Sequence, residues 1–275
     1  MPIENNGCAG PPPSRIPCTL SDGSLYLATA VVHYSAAAVS DRGRKRPSNE
    51  DSFGYSIEHG VYLVCDGMGG AAAGEIASSL AVDEVMRLLT ARPEGVPLSD
   101  LIEQAISAAN DVIYSRSQVN PRLSGMGTTL VALVVEERRV CVVNVGDSRC
   151  YRLRDEHLEQ ISQDHSLVEE QVRIGRMTPA EALRSPLRNV ITRALGTQSR
   201  VTPDIFQLEA EPGDMFLLCS DGLTRELPNQ KLESLLSEGL PNLTPLVNLC
   251  TRLVEAANRA GGADNITCLL VRAAG

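Results

Sequence analysis

Residues 61–70 read VYLVCDGMGG, and the rest of the chain is organised around this stretch. Five apolar residues in a row predict a short strand, which ends abruptly at Asp66. Gly67, Met68, Gly69 and Gly70 follow, then a helix pattern of small residues from about Ala71, with Ile76, Leu80, Val82, Val85, Met86 and Leu89 at helical spacing. A carboxylate at a strand end beside three glycines offers an oxygen ligand where backbone can approach closely. The same letters also read as a plain strand-to-helix turn carrying a solvated aspartate, so the choice rests on the remainder of the chain.

The chain has 275 residues, enough for one large core, and 43% of them are apolar. Aromatic residues make up 3% and tryptophan is absent, so that core is aliphatic. A net charge of -9 without a Lys/Arg tract argues against a nucleic-acid partner, although one or two local arginines suffice for a phosphate. The eight cysteines fall largely within apolar runs and form neither a CxxC pair nor a Cys/His zinc spacing; they read as buried thiols of a reducing compartment. There is no signal-peptide pattern at the N-terminus and no apolar run of membrane-spanning length, so a cytoplasmic protein without a membrane partner is expected.

Residues 1–21, rich in Pro, Gly and Asn, predict a mobile arm ahead of one domain over 22–275. Residues 25–34 predict a strand. Residues 40–52, SDRGRKRPSNEDS, concentrate both signs of charge and read either as a solvated loop or as a site for a cation and an anion together. A strand pattern restarts at Phe53 and Tyr55. Residues 101–117 predict a helix capped by Asp100, with Glu103 placed for a capping box and Ile102, Ala105, Ile106, Ala109, Val112 and Ile113 on one side. Residues 128–135 and 139–145 predict a hairpin, followed by short strands over 150–153 and 158–161. Such adjacent strands favour an antiparallel meander over repeated βαβ units. Residues 163–197 predict a small helical insertion that begins one helix at Thr178, Pro179, Ala180 and Glu181; its Arg173, Arg176, Arg184 and Arg188 read as solvated surface or as a hold on an anionic partner. Strands over 205–208, 215–219 and 266–271 and helices over 232–236 and from Pro245 complete the pattern, the last with Leu246, Leu249, Cys250, Leu253, Val254 and Ala257 on its apolar face.

Asp51, Asp66, Asp147, Asp221 and Asp264 each stand at the end of a predicted strand, most of them beside glycine. Carboxylates gathered at one sheet edge repel unless cations join them, and an all-oxygen set favours Mg²⁺ or Mn²⁺. Other phosphoryl chemistries lack their parts. There is no GxxxxGK[ST] loop, no G-x-S-x-G elbow, and no cysteine with a suitably placed arginine. A metal-activated water is the nucleophile that remains.

Seven motifs in order carry a resemblance: SDRGRKRPSNEDS at 40–52, DGMGG at 66–70, SGMGTT at 124–129, VGDSR at 145–149, DHS at 164–166, CSDGL at 219–223 and GGADNIT at 261–267. Over residues 25–272 the chain resembles bacterial metal-dependent Ser/Thr protein phosphatases of the PPM (protein phosphatase 2C) family. The resemblance implies an α+β fold, a four-layer α/β/β/α sandwich with two central antiparallel sheets, and a flap at about 165–197. It implies two core Mn²⁺ or Mg²⁺ ions, with Asp66 bridging them, the Gly67 carbonyl on one, and Asp221 and Asp264 on the other. Glu50 and Asp51 match positions that hold metal-bound waters, and Arg46 matches the arginine that binds the substrate phosphate. Asp147 with Asp221 matches a third, weaker metal site, and Asn265 is expected to orient the loop around Asp264. Met68 stands where animal members carry a histidine, so the general acid is expected to be water, with His165 a rival that its motif places at the flap base. The implied partners of this monomer are phosphorylated proteins, including a cognate Ser/Thr kinase or its substrates. A catalytically silent metal- and phosphopeptide-binding regulator is the alternative class, and a phosphatase of a small phosphometabolite is a third reading; the regulator requires losses from the core residue set, and Arg46, Asp66, Asp221 and Asp264 are all present.

Overall fold

A computed structural model of the chain describes residues 32–69, 73–239 and 244–275. The predicted arm and most of the strand predicted over 25–34 lie outside them, as do residues 70–72, where the first helix was expected to begin. The described residues belong to one compact unit, Val31–Gly275.

Eleven strands build two antiparallel sheets among these residues. In chain order the strands are β1 (His33–Asp41), β2 (Asp51–Ser56), β3 (Val61–Met68), β4 (Gly127–Thr128), β5 (Leu130–Glu136), β6 (Arg139–Val145), β7 (Arg149–Arg154), β8 (His157–Gln160), β9 (Asp204–Glu209), β10 (Met215–Cys219) and β11 (Ile266–Ala274). One sheet runs β1-β11-β10-β7-β8; the other runs β2-β3-β5-β6-β9, with β4 paired to β3. Helices α1 (Ala73–Ala91) and α2 (Leu98–Val119) flank the second sheet. Two short flap helices, α3 (Leu167–Arg173) and α4 (Pro179–Ala182), follow β8, and α5 (Asp221–Glu226), α6 (Asn229–Ser237) and α7 (Leu246–Ala260) flank the first sheet.

The apolar runs have a simple cause in this four-layer arrangement. Each central strand is covered on both faces, so alternation gives way to continuous burial. In β3, Val61, Leu63 and Cys65 pack with α1 and α2, while Tyr62 and Val64 face the other sheet. In β10, Met215, Leu217 and Cys219 pack with α7, while Phe216 and Leu218 fill the space between the sheets.

Several local expectations are corrected. Strand β3 continues through Asp66, Gly67 and Met68, because Gly67 and Met68 pair with Thr128 and Gly127. The strand expected over 128–135 is correspondingly broken at Thr129, whose amide donates to the Asp66 carbonyl at 2.9 Å. Strand β1 extends to Asp41 despite its Ala/Ser-rich sequence, since every residue from His33 to Asp41 is in register with β11. Helix α2 begins earlier than expected, after Pro97, so Asp100 sits in its first turn and makes no cap; there it favours the positive helix end instead. Val112 is exposed. The buried face of α1 runs from its small side, Ala73, Gly74, Ala77, Ser78 and Ala81, to Val85 and Leu89 as expected, while Ile76, Leu80, Val82 and Met86 lie at its margin. Helix α5 was not anticipated. The capping box at Thr178 and Glu181 is present as expected, and the named apolar face of α7 is buried throughout.

Candidate active site

The site lies where the ends of both sheets meet. Asp51 opens β2 directly opposite Asp66 on β3. In the other sheet, Asp221 opens α5 just after β10, and Asp264 immediately precedes the residues that enter β11. Asp147 occupies the turn between β6 and β7. A hydroxyl bridge joins the two sheets at this end: Ser220 Oγ donates to Asp51 Oδ2 at 2.7 Å and accepts from the Thr267 amide at 3.0 Å.

Backbone proximity holds the rest. The Gly67 amide donates to the Glu50 carbonyl at 3.1 Å. A Cβ on Gly67 would stand 2.1 Å from the Gly74 carbonyl oxygen and 2.5 Å from that of Glu50, and one on Gly74 would stand 2.2 Å from Glu50 Oε2. Only glycines let β3, α1 and the Glu50 loop approach this closely. Asn265 is the latch of that loop. Its Oδ1 accepts from the Glu50 amide at 2.9 Å, and its Nδ2 donates to the carbonyls of Arg42 (2.9 Å) and Ser48 (2.8 Å). Thr129 supports Asp66 from the other side: its Oγ1 accepts from the Asp66 amide at 3.0 Å and lies 2.7 Å from Ser148 Oγ, next to Asp147.

The charges explain what the site needs. Burial pushes the carboxyls of Asp51 and Asp147 up to about 6. Burial, then the charges of Asp51, Asp221, Asp147 and Asp264, holds Asp66 well above the usual carboxylate range. Asp221 is raised likewise, by burial and then by Asp147, against the pull of Arg225. Burial also raises Glu50. One oxygen on each of Asp51, Asp147 and Asp221 (Oδ1 in every case) is buried with no hydrogen-bond partner. Orphaned buried carboxylate oxygens beside like charges fit a hard divalent cation, and the donor set is all oxygen.

As the side chains stand, no three His, Cys, Asp or Glu groups among the described residues converge closely enough to hold an ion. Arginines lie on two of the carboxylates instead. Asp264 Oδ2 accepts from Arg46 Nη2 at 2.8 Å and from Arg225 Nη1 at 3.1 Å, and Arg225 Nη2 also ion-pairs with Asp221. Guanidinium groups occupy carboxylate oxygens that an ion would draw together.

The structure therefore brings Glu50, Asp51, Asp66, Gly67 and Asn265 into one hydrogen-bonded frame, joins Arg46 to Asp264, and links Asp147 to it through Ser148 and Thr129. Sequence reasoning missed Arg225, Thr129, Ser148 and Ser220, although three of the four lie within the motifs SGMGTT, VGDSR and CSDGL. The four flap arginines are exposed and form no ion pair among the described residues. His165 is committed at both nitrogens. Its Nδ1 accepts from the Gly146 amide at 3.0 Å, and its Nε2 lies 3.2 Å from Asp204 Oδ2.

Comparison with known proteins places the whole fold in a family. The family model described as protein phosphatase 2C matches residues 41–270. The serine/threonine phosphatase stp of Listeria monocytogenes is 39% identical over 243 residues, covering 84% of this chain and 92% of that protein. The crystal structure of the Mycobacterium tuberculosis serine/threonine phosphatase PstP/Ppp superimposes with a TM-score of 0.80 at 38% identity, covering 90% of this chain and 100% of that one. The catalytic domain of PstP, solved in complex with two manganese ions, superimposes with a TM-score of 0.79 at 37% identity over 89% of this chain and 100% of that one. With the motifs, the paired sheets and these likenesses in agreement over most of its length, the chain belongs to the protein phosphatase 2C family.

Proposed function

We propose that this site hydrolyses phosphoserine and phosphothreonine in proteins with two Mn²⁺ or Mg²⁺ ions, opposing a Ser/Thr kinase. The reading rests foremost on the buried, partnerless carboxylate oxygens of Asp51, Asp147 and Asp221, together with the half-exposed guanidinium of Arg46 held on Asp264. Asp66, the Gly67 carbonyl, Asp221 and Asp264 hold the two core ions, and Asp147 with Asp221 serves a third. When bound, such ions activate water at neutral pH and offset phosphoryl charge. Glu50 and Asp51, both anionic acceptors, orient water at the base of the site. Arg46 can turn from Asp264 to a phosphate, whose paired oxygens suit its planar fork. Met68 carries no proton to give and His165 has neither nitrogen free, so the departing Ser or Thr oxygen takes its proton from water. Among the described residues no helix is long and apolar enough to cross a membrane. The protein acts as a cytoplasmic monomer in this reading, on phosphoproteins that include its cognate kinase or that kinase's substrates.

The test is phosphate release from a phosphothreonine peptide with and without Mn²⁺. Asp66→Ala and Asp221→Ala are expected to lose on the order of 10³-fold or more in rate. Absence of Mn²⁺-dependent turnover by the intact chain would refute the reading.

A further inference from the structure

Arg225 has no role in the scheme above, yet its guanidinium spans two of the proposed metal ligands. It lies one helical turn after Asp221 on α5 and ion-pairs with that residue's Oδ2. Its Nη1 reaches Asp264 Oδ2 at 3.1 Å, an oxygen already taken by Arg46 at 2.8 Å. Asp264 Oδ1 accepts from the Asn265 amide at 2.9 Å, so both oxygens of Asp264 are engaged. Two guanidinium groups on one carboxylate oxygen repel each other. They are tolerable only where surrounding carboxylates supply excess negative charge, as Asp51, Asp66, Asp147 and Asp221 do here. A divalent ion binding at Asp264 must take lone pairs that guanidinium groups now hold, and must do so beside a fixed positive charge. The Arg225 side chain is 32% exposed, so solvent is open to it on release.

We propose that Arg225 is a positioning residue that neutralises Asp221 and Asp264 in the metal-free protein and competes with the divalent ion for them, setting the metal concentration at which the site loads. This rests on the metal reading of the site given above. A merely structural role for the same residue, as an i,i+4 pair closing α5, predicts something different: its loss would weaken the metal-free fold and metal binding together. Competition predicts opposite signs, a weaker metal-free fold and tighter metal binding.

The experiment is calorimetric titration of Mn²⁺ into the chelator-stripped full chain, paired with thermal denaturation of the same metal-free samples. It compares the wild type, Arg225→Gln, Arg225→Lys and a surface control at the opposite end of β6 from Asp147, Arg139→Gln, which removes an exposed ion pair with Glu136. Arg225→Gln is expected to bind Mn²⁺ about three- to tenfold more tightly while melting at a lower temperature without metal. Arg225→Lys, which keeps the charge but cannot fork across two carboxylates, is expected to shift affinity in the same direction by less, and it carries the test if Arg225→Gln does not fold. Arg139→Gln should match the wild type in Mn²⁺ affinity. Equal or weaker Mn²⁺ affinity in the Arg225 variants, with the wild type binding normally, overturns the proposal alone. A wild type that binds no Mn²⁺ overturns the metal reading and this proposal with it.

Discussion

Replacing Asn265 by alanine removes three hydrogen bonds that tie residues 42–50 to the loop carrying Asp264. Asn265 is buried, at 6% exposure, and it is the donor to Arg42 and Ser48 and the acceptor from Glu50. Each such bond contributes about 1 kcal/mol net, so Asn265→Ala is expected to cost about 3 kcal/mol. In a protein of this size that corresponds to a fall in melting temperature of about 6–12 °C. Asn265→Asp sharpens the test. An aspartate keeps an acceptor for the Glu50 amide, but its second oxygen then faces two carbonyl oxygens at the distances now spanned by donors. It also adds a negative charge beside Asp264. It is therefore expected to be at least as destabilising as alanine although it is closer in shape. The same loop carries Arg46 and Glu50, and displacement by about 1 Å at a reacting centre costs on the order of 100-fold in rate. Urea denaturation of the metal-free protein and kcat/KM on a phosphothreonine peptide measure the two consequences. A stability change below about 0.5 kcal/mol for Asn265→Ala, with Asn265→Asp no worse, would refute the latch.

Gly67→Ala forces a methyl group against two backbone carbonyls and is expected to cost about 3 kcal/mol, with activity lost alongside; an unchanged thermal midpoint would contradict the close approach. Thr129→Val, nearly isosteric, strands the Asp66 amide and is expected to cost about 1–3 kcal/mol in urea denaturation, whereas a neutral result would show that the hydroxyl is dispensable. His165 is held below its ordinary value of 6.5, first by burial and then by Arg193, with Asp204 pulling the other way. Protons therefore favour the unfolded chain, so the stability His165 contributes is present above pH 6.5 and is lost as pH falls through that value. His165→Asn, which retains an acceptor for the Gly146 amide, is expected to show a shallower loss of stability as pH falls below 6.5; a slope identical to the wild type would remove His165 from the account.

What was legible in the sequence was whatever a local pattern determines. The Thr178 capping box needs four consecutive residues, and the apolar face of α7 needs one helix, so both could be read directly. Strand β1 could not, because alanine and serine have little strand preference and only pairing with β11 makes that segment extended. The continuation of β3 through Gly67 and Met68 depends on a partner sixty residues away. The inner face of α1 was legible in part: Val85 and Leu89 are buried as their spacing implies, while the first turns, rich in alanine and glycine, pack closely on β3 and leave Ile76, Leu80, Val82 and Met86 at the margin.

The site divides along the same line. Its acidic residues were legible because all five follow or precede a strand and three of them, Asp66, Asp147 and Asp221, adjoin a glycine. The groups that aim them were not, since hydroxyls such as Thr129 and Ser220 are common in turns and acquire meaning only through a partner. Arg225 was hidden for a further reason: its spacing from Asp221 matters only if Asp221 opens a helix, and that helix was not foreseen. Ser220 shows why the fold and the site cannot be treated apart. Its hydroxyl joins Asp51 on one sheet to the start of β11 on the other, so the separation of the carboxylates is fixed by how the two sheets pack. Tyr62, Phe216, Leu218 and Leu269 are buried between the sheets, so their packing bears on the separation of the two sheets that carry Asp66 and Asp221.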